Sequence, residues 1–265
     1  MNTKLAVPYR MEFAVEVPGT VEQVWEAIAT AKGMSAWFMP TQLEEKPGGT
    51  LHFDMGPEMG SDGVVTEWDA PRRIVYEEDW AALMGVGADE LSPLTSEFVV
   101  EAKSGGTCVV RVTSSGFGTG AEWESGFWES MGDNWKPYFD HLRLYLTDFA
   151  GHEASNLEAS AVIASSADTL WATARETAGL GEEGTAFAAK GVDGTVAKVG
   201  TRRALVRLTE PVPGMLSLAV FDDGMEEGHA IAEARAYVFG ADAPAYVERE
   251  QSSWREWLEA LPTAL

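Results

Sequence analysis

The chain has 265 residues, 45% of them apolar, and a formal net charge of -23. The acidic excess is spread evenly: residues 1–150 carry 24 acidic and 10 basic side chains, residues 151–265 carry 18 and 9. Such a surface repels phosphate backbones and anionic membranes, which speaks against nucleic-acid binding and membrane insertion, and no apolar run approaches the ~20 residues of a membrane span.

A length of 265 residues is comfortable for two domains. The single cysteine, Cys108, rules out an intrachain disulfide, and its alternating surroundings mark it as a buried small hydrophobe. The opening residues "MNTKLAVPYRMEF" hold no apolar run of signal-peptide length, so the expected location is cytoplasmic.

A strand is expected from Tyr9 to Val17, broken by Pro18-Gly19. "TVEQVWEAIAT" then predicts a helix with Thr20 as N-cap and Gln23 as its capping-box partner. Val21, Val24, Trp25 and Ile28 mark its buried face, and Ala31 to Phe38 suggests a second short helix. Gly48-Gly49 signals a turn into the alternating "TLHFDMG". In "VVTEWDAPRRIVYEEDW" two alternating runs flank Asp69-Ala70-Pro71-Arg72-Arg73, which reads as a hairpin turn with both arginines in solvent near acidic neighbours. "TSEFVVEAKSGGTCVVRVTSSGF" reads as a further hairpin turning at Ser104-Gly105-Gly106. Ala121 to Leu146 predicts a long helix, its stripe running through Trp128, Met131, Trp135, Tyr138, Phe139, Leu142 and Leu146. Pro137 inside it predicts a kink near Asp133-Asn134.

The order then repeats. "VIASSADTLWATA" resembles "EVPGTVEQVWEAI", and the closing "WREWLEALPTAL" resembles "WKPYFDHLRLYL", with Trp254 where the first copy has Trp135. Five strand-like segments lie between. The second copy is shorter by about one hairpin and poorer in aromatics, which places the domains at 1–150 and 151–265.

No nucleophile elbow, P-loop, dinucleotide fingerprint or paired metal-ligand spacing is present, so no cofactor, no metal and no catalytic set is assigned. Of the histidines, only His52 has a plausible strand position for a cavity; His141 falls off its helix stripe and is expected in solvent. Tyr76, Glu78 and Trp80 share one strand face by parity, which turns Glu78 inward. A buried carboxyl needs a partner or a raised pKa; Arg111 is the structural partner weighed against a general acid or base role. Glu250 and Gln251 are a weaker polar pair in the second copy.

"FAVEVPGTVEQVWEAIAT", "PGGTLHF", "GVVTEWDAPRRIVYEEDW", the hairpin above and "WKPYFDHLRLYL" resemble, in order and spacing over 9–146, the START-like (SRPBCC, helix-grip) superfamily. Within it they most resemble the subfamily named after the activator of Hsp90 ATPase. A long loop near Gly85 to Pro93 and the acidic surface depart from that pattern, and over 155–261 the likeness is weaker. The resemblance implies an α+β fold, a curved antiparallel sheet gripping a long C-terminal helix, in two tandem copies. It also implies a cavity for a hydrophobic small molecule such as a lipid, polyketide or aromatic metabolite. The expected lining is Trp37, Phe53, Trp68, Tyr76, Glu78, Trp80, Phe98, Arg111, Trp128, Trp135 and Phe139. The alternatives are that the rings fill a core, that the chain is a cyclase/aromatase-type or hydrolase enzyme, or that it is an Hsp90-type partner. The second domain is expected to cover the pocket mouth or to mediate self-association into a homo-oligomer.

Overall fold

The computed structural model describes residues 7–56, 59–87, 89–223 and 228–261, without the side chains of Ala82, Leu83, Trp123, Phe127, Ser130, Asp133 and Asn134. It divides into two compact units, Met1–Gly151 and His152–Leu265.

The first unit opens with β1 (Val7–Pro18), α1 (Val21–Ala29) and α2 (Ala31–Ser35). Thr20 caps α1 through a capping box with Gln23, as its sequence predicts. Next come β2 (Thr41–Leu43), β3 (Thr50–Asp54), β4 (Gly60–Asp69), β5 (Arg73–Glu78), α3 (Trp80–Met84), β6 (Leu94–Lys103), β7 (Thr107–Gly118) and α4 (Glu122–Asp148). The strands form one antiparallel sheet in the order β1-β7-β6-β5-β4-β3-β2. Facing partners in such a sheet share a side. One side therefore carries Phe53, Val65, Ile74, Tyr76, Phe98, Val110 and Val112, all buried. Against this side packs α4, presenting Trp135 to Phe98 at 5.8 Å between ring centroids. The helix runs through Pro137 without a break; Asp133 and Asn134, where a kink is predicted, have no described side chains.

The second unit contains β8 (Ala154–Ile163), α5 (Ala167–Thr177), β9 (Ala186–Ala189), β10 (Val192–Gly200), β11 (Arg203–Glu210), β12 (Gly214–Asp222), β13 (Ala230–Phe239) and α6 (Ala243–Glu259). Its sheet order, β8-β13-β12-β11-β10-β9, is that of the first without β2. It lacks one strand and the two short helices, rather than a hairpin. Particular hydrogen bonds recur as well. Val65 exchanges backbone bonds with Gly48 and Gly49, and Val196 does so with Gly184 and Thr185. Val100 N–H donates to Arg72 C=O, and Val220 N–H to Arg202 C=O. The α+β, tandem helix-grip architecture is thus the one the sequence predicts, and these bonds fix its residue-by-residue register.

Three local features differ from expectation. A β-bulge between Val65 and Glu67 resets the parity of β4, so Val65 and Trp68 face the same side. The strand ends at Glu78, and Trp80 begins α3 instead of continuing the strand. His141 is 4% exposed, not solvated: its Nδ1 lies 3.3 Å from Trp37 O, and its ring meets Tyr138 edge-on. The turn that carries Trp37 packs on that side of α4, a long-range contact that helix periodicity does not report.

Candidate functional site

Alternation along β5 turns Ile74, Tyr76 and Glu78 toward α4. Glu78 is 5% exposed and faces Gly63 across the β4–β5 ladder. That glycine is needed: a Cβ there would meet Glu77 O at 2.5 Å and Glu78 Cγ at 3.3 Å. The Ser61 hydroxyl donates to Glu78 Oε1 at 2.7 Å. Burial pushes the Glu78 carboxyl above its ordinary value, while Ser61 and the Trp80 indole oppose the rise.

Further along the same side, Tyr76 faces Ser96, and Ser96 faces Ser114. Ser96 Oγ and Ser114 Oγ are 3.3 Å apart, and Ser96 hydrogen-bonds Tyr76. Burial and the nearby Glu78 carboxylate hold the Tyr76 hydroxyl well above the usual phenol range. Ser61, Glu78, Tyr76, Ser96 and Ser114 thus form a buried polar row across four strands.

Aromatic rings surround this row. Phe38, Phe53, Tyr76, Phe98 and Trp135 form a closed circuit with neighbouring centroids 5.1–6.0 Å apart. Phe139 stacks on Trp135 at 5.9 Å. Here the rings pack against one another between sheet and helix. Beyond Glu78 lies a smaller cluster of Leu94, Trp128 and Met131, flanked by the partly buried Tyr9, Met11, Trp80 and Trp135. Glu78 faces Leu94 across the β5–β6 ladder, so its carboxyl stands between the closed circuit and this cluster.

The remaining expected lining residues separate. Trp37 is fully buried and its indole donates to Ala27 O at 2.8 Å, so it belongs to the helical core. Trp68 lies edge-on to Trp25, 5.2 Å away. Arg111 corrects an expectation: it pairs with Glu101 at 3.2 Å, not with Glu78, and is 45% exposed. Its parity is opposite to that of Val110 and Val112, which fixes it on the other side of the sheet. His52 likewise faces away from Leu51 and Phe53 and binds Asp62 at 2.8 Å. Arg73 pairs with Glu67 and Glu97. In the second unit, Gln251 donates to Glu158 O at 2.5 Å and Glu250 pairs with Arg249.

A second buried carboxyl escapes sequence reasoning. Glu124, fully buried in the first turn of α4, accepts from Thr119 N–H and Oγ1, Gly120 N–H and Tyr9 Oη at 2.8–3.0 Å. Burial, the largest influence, raises it, but these donors together hold it below its ordinary value. Tyr9 in turn stacks on Trp128 at 5.3 Å. A Glu three residues past the N-cap is the signal that would have found it. Among the described residues, no group of three or more His, Cys, Asp or Glu is placed to hold a metal ion, and no helix is long and apolar enough to cross a membrane.

Residues 18–147 match the family model described as Activator of Hsp90 ATPase homolog 1-like protein. No functionally curated protein matches the chain. Among solved structures, the chain is similar to Bacillus halodurans protein BH1534 at 23% identity over 52% of this chain and 96% of that one, with a TM-score of 0.43. It is similar to the di-domain ARO/CYC BexL from the BE-7585A biosynthetic pathway at 14% identity over 96% and 97%, TM-score 0.45. Similarity to the Aha1 dimer from Colwellia psychrerythraea is 16% over 52% and 96%, TM-score 0.41. Likenesses this distant transfer no activity to the chain.

Proposed function

Residues 18–147 belong to the Activator of Hsp90 ATPase homolog 1-like family, and from that premise we propose that the N-terminal domain is a non-enzymatic binder of an apolar small molecule held between its sheet and α4. The observation that carries the reading is the change in packing at Glu78. On one side the rings close on one another; on the other, partly buried Trp80, Trp135, Tyr9 and Met11 surround Trp128 and Met131 beside one inward carboxyl. Small-molecule sites are largely apolar with few polar groups that orient the ligand. Tryptophan-fluorescence titration with aromatic and fatty ligands should give saturable quenching that Trp135→Ala removes. Absence of saturable quenching across such a panel would overturn the proposal.

One observation favours a second reading, an enzyme of the cyclase/aromatase or hydrolase type. Glu78 is a carboxyl that burial holds above its ordinary value on the inner side of the sheet, the kind of group that can give or take a proton. Arg111 and His52, the other polar candidates from the sequence, lie on the other side of the sheet. An Hsp90-type partnership follows only from the family's description; an unchanged Hsp90 ATPase rate on addition of the chain would remove it. The second domain is proposed as a degenerate second copy that supports self-association. Deleting 155–265 without effect on oligomeric state would refute that role.

A further inference from the structure

The two copies allow a comparison within one chain. Counting from the recurring bonds at Val65 and Val196, Ser61 corresponds to Val192 and Gly63 to Gly194. Gly63 faces Glu78, and Gly194 faces Leu208. Counting from Val100 and Val220, Ser96 corresponds to Leu216, and their ladder partners Tyr76 and Ser114 correspond to Val206 and Ala236. Every member of the polar row is therefore apolar in the second copy, and all five replacements are buried there. Even the glycine against the wall is retained: a Cβ at Gly194 would meet Arg207 O at 2.2 Å, as one at Gly63 would meet Glu77 O.

The fold therefore builds this wall without polar groups. Burying a carboxyl, three hydroxymethyl groups and a phenol in the same place costs desolvation that valine, leucine and alanine do not incur. We infer that the row Ser61, Glu78, Tyr76, Ser96 and Ser114 is a specificity element that selects apolar ligands carrying a hydroxyl or carbonyl oxygen over the corresponding hydrocarbons. This inference rests on the binding role proposed above and names the class of ligand. Within the row, Glu78 is the member that faces Leu94 of the cluster with Trp128 and Met131, so a ligand seated against that cluster meets the carboxyl first. Ser61 occupies one carboxyl oxygen. The other oxygen can accept from a ligand hydroxyl in either protonation state, and the protonated form can also donate to a ligand oxygen. A site built to hydrogen-bond an oxygen rejects the analogue that lacks it, because its own buried groups are then left unmatched.

The test uses the full chain and a pair of probes matched in shape, 2-naphthol and 2-methylnaphthalene, titrated by calorimetry. The wild type should bind 2-naphthol about tenfold tighter, the worth of one good hydrogen bond. In Glu78→Leu that ratio should fall to within about twofold. If Glu78→Leu does not fold, Ser96→Ala/Ser114→Ala, which shortens the row and leaves the carboxyl in place, should lower the ratio. Equal wild-type affinities, or a ratio unchanged in the variant that folds, would overturn the specificity role and leave the binding role standing. Failure of both probes to bind the wild type would overturn the two together.

Discussion

Ser61→Val/Glu78→Leu gives the first domain the residues that hold the same places in the second, and its effect on stability can be worked from the packing. Glu78→Leu alone gains up to about 1.5–3 kcal/mol from burying an apolar side chain. It loses the 2.7 Å bond from Ser61, with a net value of about 0.5–1.5 kcal/mol, and leaves the Ser61 hydroxyl without that acceptor, at about 1–3 kcal/mol. These effects nearly cancel, so the single variant should lie close to wild type. In the double variant the stranded hydroxyl is gone, and the chain should gain about 1–3 kcal/mol. In a double-mutant cycle the two positions should couple by at least about 1–3 kcal/mol, because each single variant strands a buried partner that the double variant removes. Urea unfolding followed by tryptophan fluorescence measures this, because seven of the ten tryptophans lie in the first unit and report its transition. A double variant less stable than wild type by about 2 kcal/mol or more would mean that the row is required for folding, contrary to the reasoning from the second copy.

Gly63→Ala should destabilise the first domain by about 1–3 kcal/mol, because the new methyl meets a strand carbonyl; chemical denaturation checks it. Trp135→Ala should cost about 3 kcal/mol, the low end for a large aromatic because the ring is only partly buried, and should reduce near-ultraviolet circular dichroism. Glu78 and Glu124 should give pH dependences of opposite sign. For Glu78, raised in the fold, stability should fall as pH climbs from the unfolded value of about 4.5 through the folded value, and Glu78→Gln should remove that slope in pH-dependent urea unfolding. For Glu124, lowered in the fold, stability should be present above about 4.5 and lost as pH falls through the folded value; Tyr9→Phe should weaken this effect by removing one donor.

Much of the fold was legible because its signals are local. The Thr20–Gln23 capping box, the turn at Asp69–Arg73 and the stripe of α4 each follow from a few neighbouring residues. The repeat was legible from helix ends that match. Strand parity separated Tyr76 and Glu78 from Glu77, and the aromatic neighbours identified the inner side. What parity does not give is register between strands. Ser96 and Ser114 are ordinary serines until the β6–β7 ladder places them opposite each other beside Tyr76. Pairing Arg111 with Glu78 was a charge argument made without parity; Val110 and Val112 already fix the arginine on the outer side. The bulge at Val65–Glu67 and the inward His141 depend on contacts distant in sequence, with Gly48-Gly49 and with Trp37.

A crystal structure of the chain with 2-naphthol tests the binding claim most directly. The account predicts the naphthyl ring between the sheet and α4, against Trp128 and Met131, with its oxygen within hydrogen-bonding distance of Glu78. A structure in which protein side chains fill that space, or in which the probe occupies another surface and leaves Glu78 untouched, would contradict it.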